Sequence, residues 1–232
     1  MKIGILQTGR TPEEMRDDHG DYNNLFERML AGRGFEFITY PVLDGVLPGD
    51  VHDADGWLIT GSKFGAYEPH GWIAPLEEFL RQSYSANVPI IGVCFGHQIL
   101  AQALGGKVEK YAGGWSVGAI DYTLKDQRDA DTFMAWHQDQ VVELPDGASV
   151  IGSTDACRFA MLAYGDRALT IQPHPEFTAG FMTDLVAARA DVLPDHIARK
   201  AISSLEKPLT SARIADQFEQ FFKKNRGSVD AR

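Results

Sequence analysis

The run Pro89-Ile90-Ile91-Gly92-Val93-Cys94-Phe95-Gly96-His97-Gln98-Ile99 constrains this chain more than any other segment. An apolar, strand-like stretch ends in a cysteine held in Gly-x-Cys-x-Gly spacing, and helical patterning starts at once. That is the signature of a nucleophile elbow, in which a reactive side chain sits on a sharp strand-to-helix turn. Glycines two residues before and after the cysteine suit a turn where neighbouring backbone passes too close for a side chain. The helix that follows points its free N–H groups and positive dipole end at the sulfur, which favours thiolate over thiol. Most buried cysteines are inert small hydrophobes. The flanking pattern instead marks Cys94 as a nucleophile.

A cysteine nucleophile needs a base, and the base needs a group that orients it. Among the seven histidines, His174 stands out through a carboxylate at a spacing that fixes it locally, in Gln172-Pro173-His174-Pro175-Glu176. Residues two apart in extended chain project to one face, and Pro175 biases His174 away from helical geometry. Glu176 can then accept from one imidazole nitrogen while the other faces Cys94. Ala168-Leu169-Thr170-Ile171 reads as a buried strand that delivers His174 to the site. His97, three residues past Cys94, is the competing base and lacks an adjacent carboxylate.

Gly-Val-Cys-Phe-Gly-His-Gln, followed some eighty residues later by His-Pro-Glu, resembles the class I glutamine amidotransferases, the triad-type glutaminase domains of GMP synthetase, anthranilate synthase and carbamoyl phosphate synthetase. Ile59-Thr60-Gly61-Ser62 is similar to the oxyanion strand of that family, usually Gly-Gly-Pro in the synthetases. Leu104-Gly105-Gly106-Lys107-Val108, His137-Gln138-Asp139-Gln140-Val141 and Leu144-Pro145-x-Gly147 match further family segments in the same order. Gly61-Ser62-Lys63 and Phe95 depart from the synthetase pattern. They look most like a free-standing branch that holds GMP synthetase-like proteins and γ-glutamyl peptidases. The resemblance implies an open, mostly parallel α/β sheet of flavodoxin type flanked by helices. It also implies an oxyanion hole from the backbone N–H groups of Phe95 and of Gly61 or Ser62. Recognition of the glutamyl end is implied around Gln98 and Gly114-Trp115-Ser116-Val117, and His137 reads as a core residue or, by its family position, as one that supports the site.

Length and composition fit one enzyme-sized α/β domain spanning 1–232, with a polar tail, Asn225 to Arg232, expected to fray. Apolar content of 44% with 23% charged residues is ordinary for a globular chain. A net charge of −10 without a basic stripe argues against nucleic acid. No run of eighteen apolar residues suggests a membrane span. Met1-Lys2-Ile3-Gly4-Ile5-Leu6 reads as a first strand, not a signal peptide. Two cysteines are too few for a disulfide framework, and a catalytic thiol favours a reducing, cytoplasmic setting. Cys157 is expected in the core. Scattered Cys and His give no zinc spacing, and no phosphate-cradling or dinucleotide glycine motif occurs, so neither metal nor cofactor is expected.

Strand and helix patterns alternate from Lys2 to Leu104, which predicts a parallel sheet. Ligands bind beyond the carboxyl ends of such strands, and Gly61, Cys94 and His174 each follow a strand-like run. From Lys107 to Thr170, short alternating runs with turns at Asp146-Gly147 and Gly165-Asp166 predict an added antiparallel layer. Helical runs follow at Thr178–Arg189, His196–Ser204 and Ser211–Lys224. Arg10–Tyr22 carries seven charged residues and reads as a solvated connector or a lid over the site. Three functions fit: a stand-alone hydrolase of a small γ-glutamyl compound, a glutaminase serving a separate synthetase, and a non-catalytic binding protein.

Overall fold

The computed structural model describes residues 1–125 and 127–226, the side chains of 225 and 226 excepted. Five strands form a parallel block: β1 (Lys2–Leu6), β2 (Glu36–Tyr40), β3 (Gly56–Ile59), β4 (Ile90–Val93) and β11 (Ala168–Ile171). Every residue of β3, β4 and β11 is buried. Near-continuous apolar sequence is what a strand covered on both faces requires. Helices supply the cover. On one face, α2 (Tyr22–Met29) and α7 (Ser211–Arg226) bring Phe26, Ile214 and Phe218 against Ile3, Ile5, Ile91 and Val93. On the other, α3 (Ile73–Ser85) and α4 (Phe95–Ala103) bring Leu76, Leu80, Ile99 and Leu100 against Leu6, Trp57, Ile59 and Ile90.

The antiparallel strands expected as an added layer mostly extend the same sheet. The nine-stranded order is β2-β1-β3-β4-β11-β10-β9-β6-β7, with β10 (Met161–Tyr164), β9 (Ser149–Ser153), β6 (Ser116–Leu124) and β7 (Asp131–His137) all antiparallel to their neighbours. The Gly165-Asp166 turn joins β10 to β11 as a hairpin, which keeps the chain in plane. Among the described residues, β5 (Lys107–Lys110) and β8 (Asp139–Glu143) pair as a separate two-stranded sheet. A third apolar cluster packs α5 (Ala179–Ala188) and α6 (Asp195–Ser204) on β6 and β7 through Phe181, Leu185, Ala201, Val117 and Met134.

Arg10–Tyr22 is more structured than a connector. It holds a 3-10 turn (Glu13–Met15) and a short helix, α1 (Arg16–His19). Met15 is buried against the third cluster, Arg10 pairs with Asp44, and His19 meets Asp184 on α5 at 2.6 Å. One apolar residue among charges anchors the segment. Of the expected frayed tail, 225 and 226 fall in α7, and the remainder lies outside the described residues.

Candidate active site

Cys94 links β4 to α4 with φ +53° and ψ −103°. A left-handed φ at a non-glycine residue stores on the order of 1–3 kcal/mol of strain and persists only where the surroundings impose it. The surroundings here are tight. A Cβ on Gly92 would lie 2.4 Å from the Gly96 carbonyl oxygen, and one on Gly96 would lie 2.5 Å from that of Ile59. The Cys94 N–H donates to Ile171 of β11 at 2.8 Å, tying the turn to the strand that leads to His174.

His174 is fixed on three sides. Its N–H donates to the Met134 carbonyl at 2.7 Å, its ring stacks on Phe177 with centroids 4.0 Å apart, and its Nδ1 lies 2.7 Å from Glu176 Oε1. Both partners of this pair are buried, and Glu176 Oε2 has no hydrogen-bond partner among the described residues. The imidazole is therefore the main compensation for a buried carboxylate. Burial by itself would push His174 down, but the charges of Glu176 and Cys94 outweigh it and raise the ring to about 10. The ring interacts with the Cys94 sulfur, while the thiol's own hydrogen bond runs to the Trp136 carbonyl oxygen at 3.9 Å.

Gly61 closes the other side. A Cβ there would stand 2.8 Å from His174 Cε1 and 3.7 Å from Cys94 Cβ. The backbone N–H groups of Gly61, Ser62 and Phe95 donate to no acceptor among the described residues. Cys94, His174 and Ser62 share a cavity of about 420 Å³.

The remaining expected residues divide. Gln98 lines the cavity, with its amide held by the Asp139 carbonyl at 2.9 Å and by Gln172 at 3.1 Å. Trp115 also lines it. Ser116 does not: it opens β6, is paired with His137 in the ladder, and is buried off the cavity wall. His137 is on the wall, and burial holds it down at about 4. His97 is buried with Nδ1 2.8 Å from the Thr170 hydroxyl. Burial, helped by His137, lowers it to about 3, so it is a neutral core residue. Cys157 is buried, and its thiol is pushed up to about 12 for that reason. No group of three or more His, Cys, Asp or Glu suited to a metal occurs among the described residues.

The Arg10–Tyr22 segment, read as a connector or a lid, brings Arg10 and Tyr22 to the cavity wall. Tyr22 caps the cavity beside Phe177, and its hydroxyl is pushed well up by burial, then by the charges of Cys94 and Glu176. Lys110 and Arg189 also reach the wall, Lys110 opposite Asp139 in the β5–β8 ladder, where its charge acts on that carboxylate.

The family profile for Glutamine amidotransferase class-I matches residues 15–189, three quarters of the chain. The chain belongs to this family. Like its relatives, this amidotransferase-family chain falls among enzymes that cleave C–N bonds. It is 28% identical to Gamma-glutamyl peptidase 3 of Arabidopsis thaliana over 84% of this chain and 85% of that one. It is 33% identical to one subunit of the glutamine-hydrolysing GMP synthase of Halobacterium salinarum, over 69% and 86%. A solved glutamine amidotransferase from Thermotoga maritima shares the fold with a TM-score of 0.77 at 18% identity, covering 97% of each chain.

Proposed function

We propose that this family member hydrolyses the γ-amide bond of a small γ-glutamyl compound and works as a free-standing enzyme. The observation that carries the reading is the strained Cys94 elbow facing a His174–Glu176 pair joined at 2.7 Å across one cavity. Cys94 thiolate attacks the γ-carbonyl carbon, and the carbonyl electron pair moves onto oxygen. The N–H groups of Phe95 and of Gly61 or Ser62 receive that oxyanion, each such donor contributing roughly 3 kcal/mol to lowering the barrier. As the tetrahedral species collapses, His174 gives its proton to the departing amine and a glutamyl thioester remains on the sulfur. His174 then takes a proton from water, whose oxygen attacks the thioester and releases glutamate. Glu176 holds the imidazole in the productive tautomer and stabilises its charged form throughout.

The γ-glutamyl peptidase relatives support a peptide or amine leaving group. The Arg189 cation on the wall complements a carboxylate of such a substrate, whereas Lys110 faces Asp139 across the β5–β8 ladder. Gln98 and Trp115 line the same cavity and fit the glutamyl end. Such a thiol enzyme belongs in a reducing, cytoplasmic setting. The second reading, a glutaminase that delivers ammonia to a separate synthetase, rests on the Halobacterium relative.

The deciding experiment measures steady-state release from glutamine and from γ-glutamyl peptides by the purified chain without ATP, with Cys94→Ser as the blank. Turnover of a γ-glutamyl peptide supports the stand-alone hydrolase. No turnover until a synthetase is added supports the second reading.

A further inference from the structure

Two buried threonines sit directly behind the oxyanion backbone, and neither takes part in the mechanism above. Thr8 follows β1, Thr60 follows β3, and both side chains are fully buried. The Thr8 N–H donates to Thr60 Oγ1 at 3.0 Å. Thr8 Oγ1 lies 2.9 Å from the Thr60 carbonyl oxygen and 3.2 Å from that of Gly61. Thr60 Oγ1 lies 3.1 Å from the Gly61 carbonyl oxygen. Each hydroxyl has one proton to give. Thr60 Oγ1 accepts from Thr8 N–H, and its own proton goes to the Gly61 carbonyl at 3.1 Å, a shorter contact than Thr8 Oγ1 at 3.2 Å. The Thr8 hydroxyl donates to the Thr60 carbonyl at its shortest distance, with the Gly61 carbonyl also in reach.

Resting on the reading above, we infer that Thr8 and Thr60 are positioning residues that clamp the Gly61–Ser62 peptide so that the Ser62 N–H faces the cavity. No peptide bond among the described residues is cis, and in a trans peptide the N–H points opposite to the carbonyl. A Gly61 carbonyl held by the buried Thr60 hydroxyl, with the Thr8 hydroxyl within reach behind it, therefore turns the Ser62 N–H the other way. That N–H has no acceptor among the described residues, and Ser62 lines the cavity with Cys94. Glycine at 61 makes the clamp necessary, because without a side chain this peptide has few other contacts to choose between two orientations. The clamp comes entirely from the chain's own strand ends. The hole is thus set without a partner protein, as a free-standing hydrolase requires.

The test uses Thr8→Val and Thr60→Val with the matching serine variants, in the full chain. Losing one oxyanion donor costs on the order of 10²–10³ in kcat. Each valine variant is expected to lose about 10- to 100-fold in kcat with KM within about twofold, because the donor is misaimed and not removed. The serine variants, which keep the hydroxyl, should recover most of that loss. Alkylation of Cys94 by iodoacetamide passes through no oxyanion, so its rate should stay at the wild-type value in all four. Unchanged kcat in both valine variants overturns the clamp. So does a parallel fall in alkylation rate, which would mean that Cys94 and His174 had moved, or serine variants as poor as valine, which would mean a packing role. If a valine variant fails to fold, the alanine variant at that position replaces it. A wild-type chain inactive on every γ-glutamyl substrate instead sinks the hydrolase reading, and the clamp with it.

Discussion

Gly61→Ala tests the close approach of the Gly61 backbone to His174. The new methyl carbon would sit 2.8 Å from His174 Cε1, whereas carbon atoms rest at about 3.5–4.0 Å. Something must give by roughly 0.7 Å or more. The imidazole is poorly placed to retreat, since Phe177 stacks on it at 4.0 Å and Glu176 holds Nδ1 at 2.7 Å. The Gly61 backbone itself is not left-handed, so alanine meets no conformational penalty there. Overpacking of this kind costs about 1–3 kcal/mol of stability, a fall in Tm of a few degrees for a chain of this size. The catalytic cost is larger, because a misplacement near 1 Å costs on the order of 10²-fold in rate. Gly61→Ala is expected to fold, to melt slightly lower and to lose about 10- to 100-fold in kcat/KM. The measurement is steady-state hydrolysis of a γ-glutamyl peptide, paired with a thermal melt. Wild-type kcat/KM at an unchanged Tm would show that Gly61 and His174 are not in contact, and the site geometry would be wrong.

Glu176→Gln keeps the size of the side chain but removes the charge that raises His174, and it should cost roughly 10²-fold or more in kcat; a variant with near wild-type kcat would remove Glu176 from the mechanism. His174 also predicts a pH dependence of stability. Its folded value, about 10, lies above the ordinary 6.5, so its stabilising contribution is complete below about 6.5 and is lost as pH rises through about 10. Wild type should therefore lose Tm across that window more steeply than His174→Ala, and equal slopes would contradict a raised imidazole. Arg189→Gln should raise KM for a γ-glutamyl dipeptide more than for glutamine, which has no leaving-group carboxylate. An equal change for both would place Arg189 elsewhere in recognition.

What could be read from the chain followed the range of the forces involved. The elbow was legible because Gly92, Cys94 and Gly96 are set by contacts within one turn and its neighbouring strand. The His174–Glu176 pair was legible because both residues lie on one short extended segment. The strand and helix order held because buried parallel strands need unbroken apolar runs. Arg189 and Lys110 were silent, since only tertiary folding brings the end of α5 and β5 to one cavity. Ser116 and Trp115 part company because Ser116 enters the β6–β7 ladder opposite His137 while Trp115 stays on the cavity wall, a separation that adjacency in sequence does not carry. The strands after Lys107 suggested a layer because alternation reports one buried face, whereas whether strands join an existing sheet depends on hairpin geometry such as Gly165-Asp166.

If Cys94 is the nucleophile, a substrate-like electrophile should trap it covalently. The purified chain is treated with 6-diazo-5-oxo-norleucine, a glutamine-mimicking electrophile, and the adduct is mapped by mass spectrometry. One adduct is expected, on Cys94, suppressed in His174→Ala, with Cys157 unmodified because its buried thiol is pushed up to about 12. An adduct on Cys157, or none on either cysteine, would contradict it.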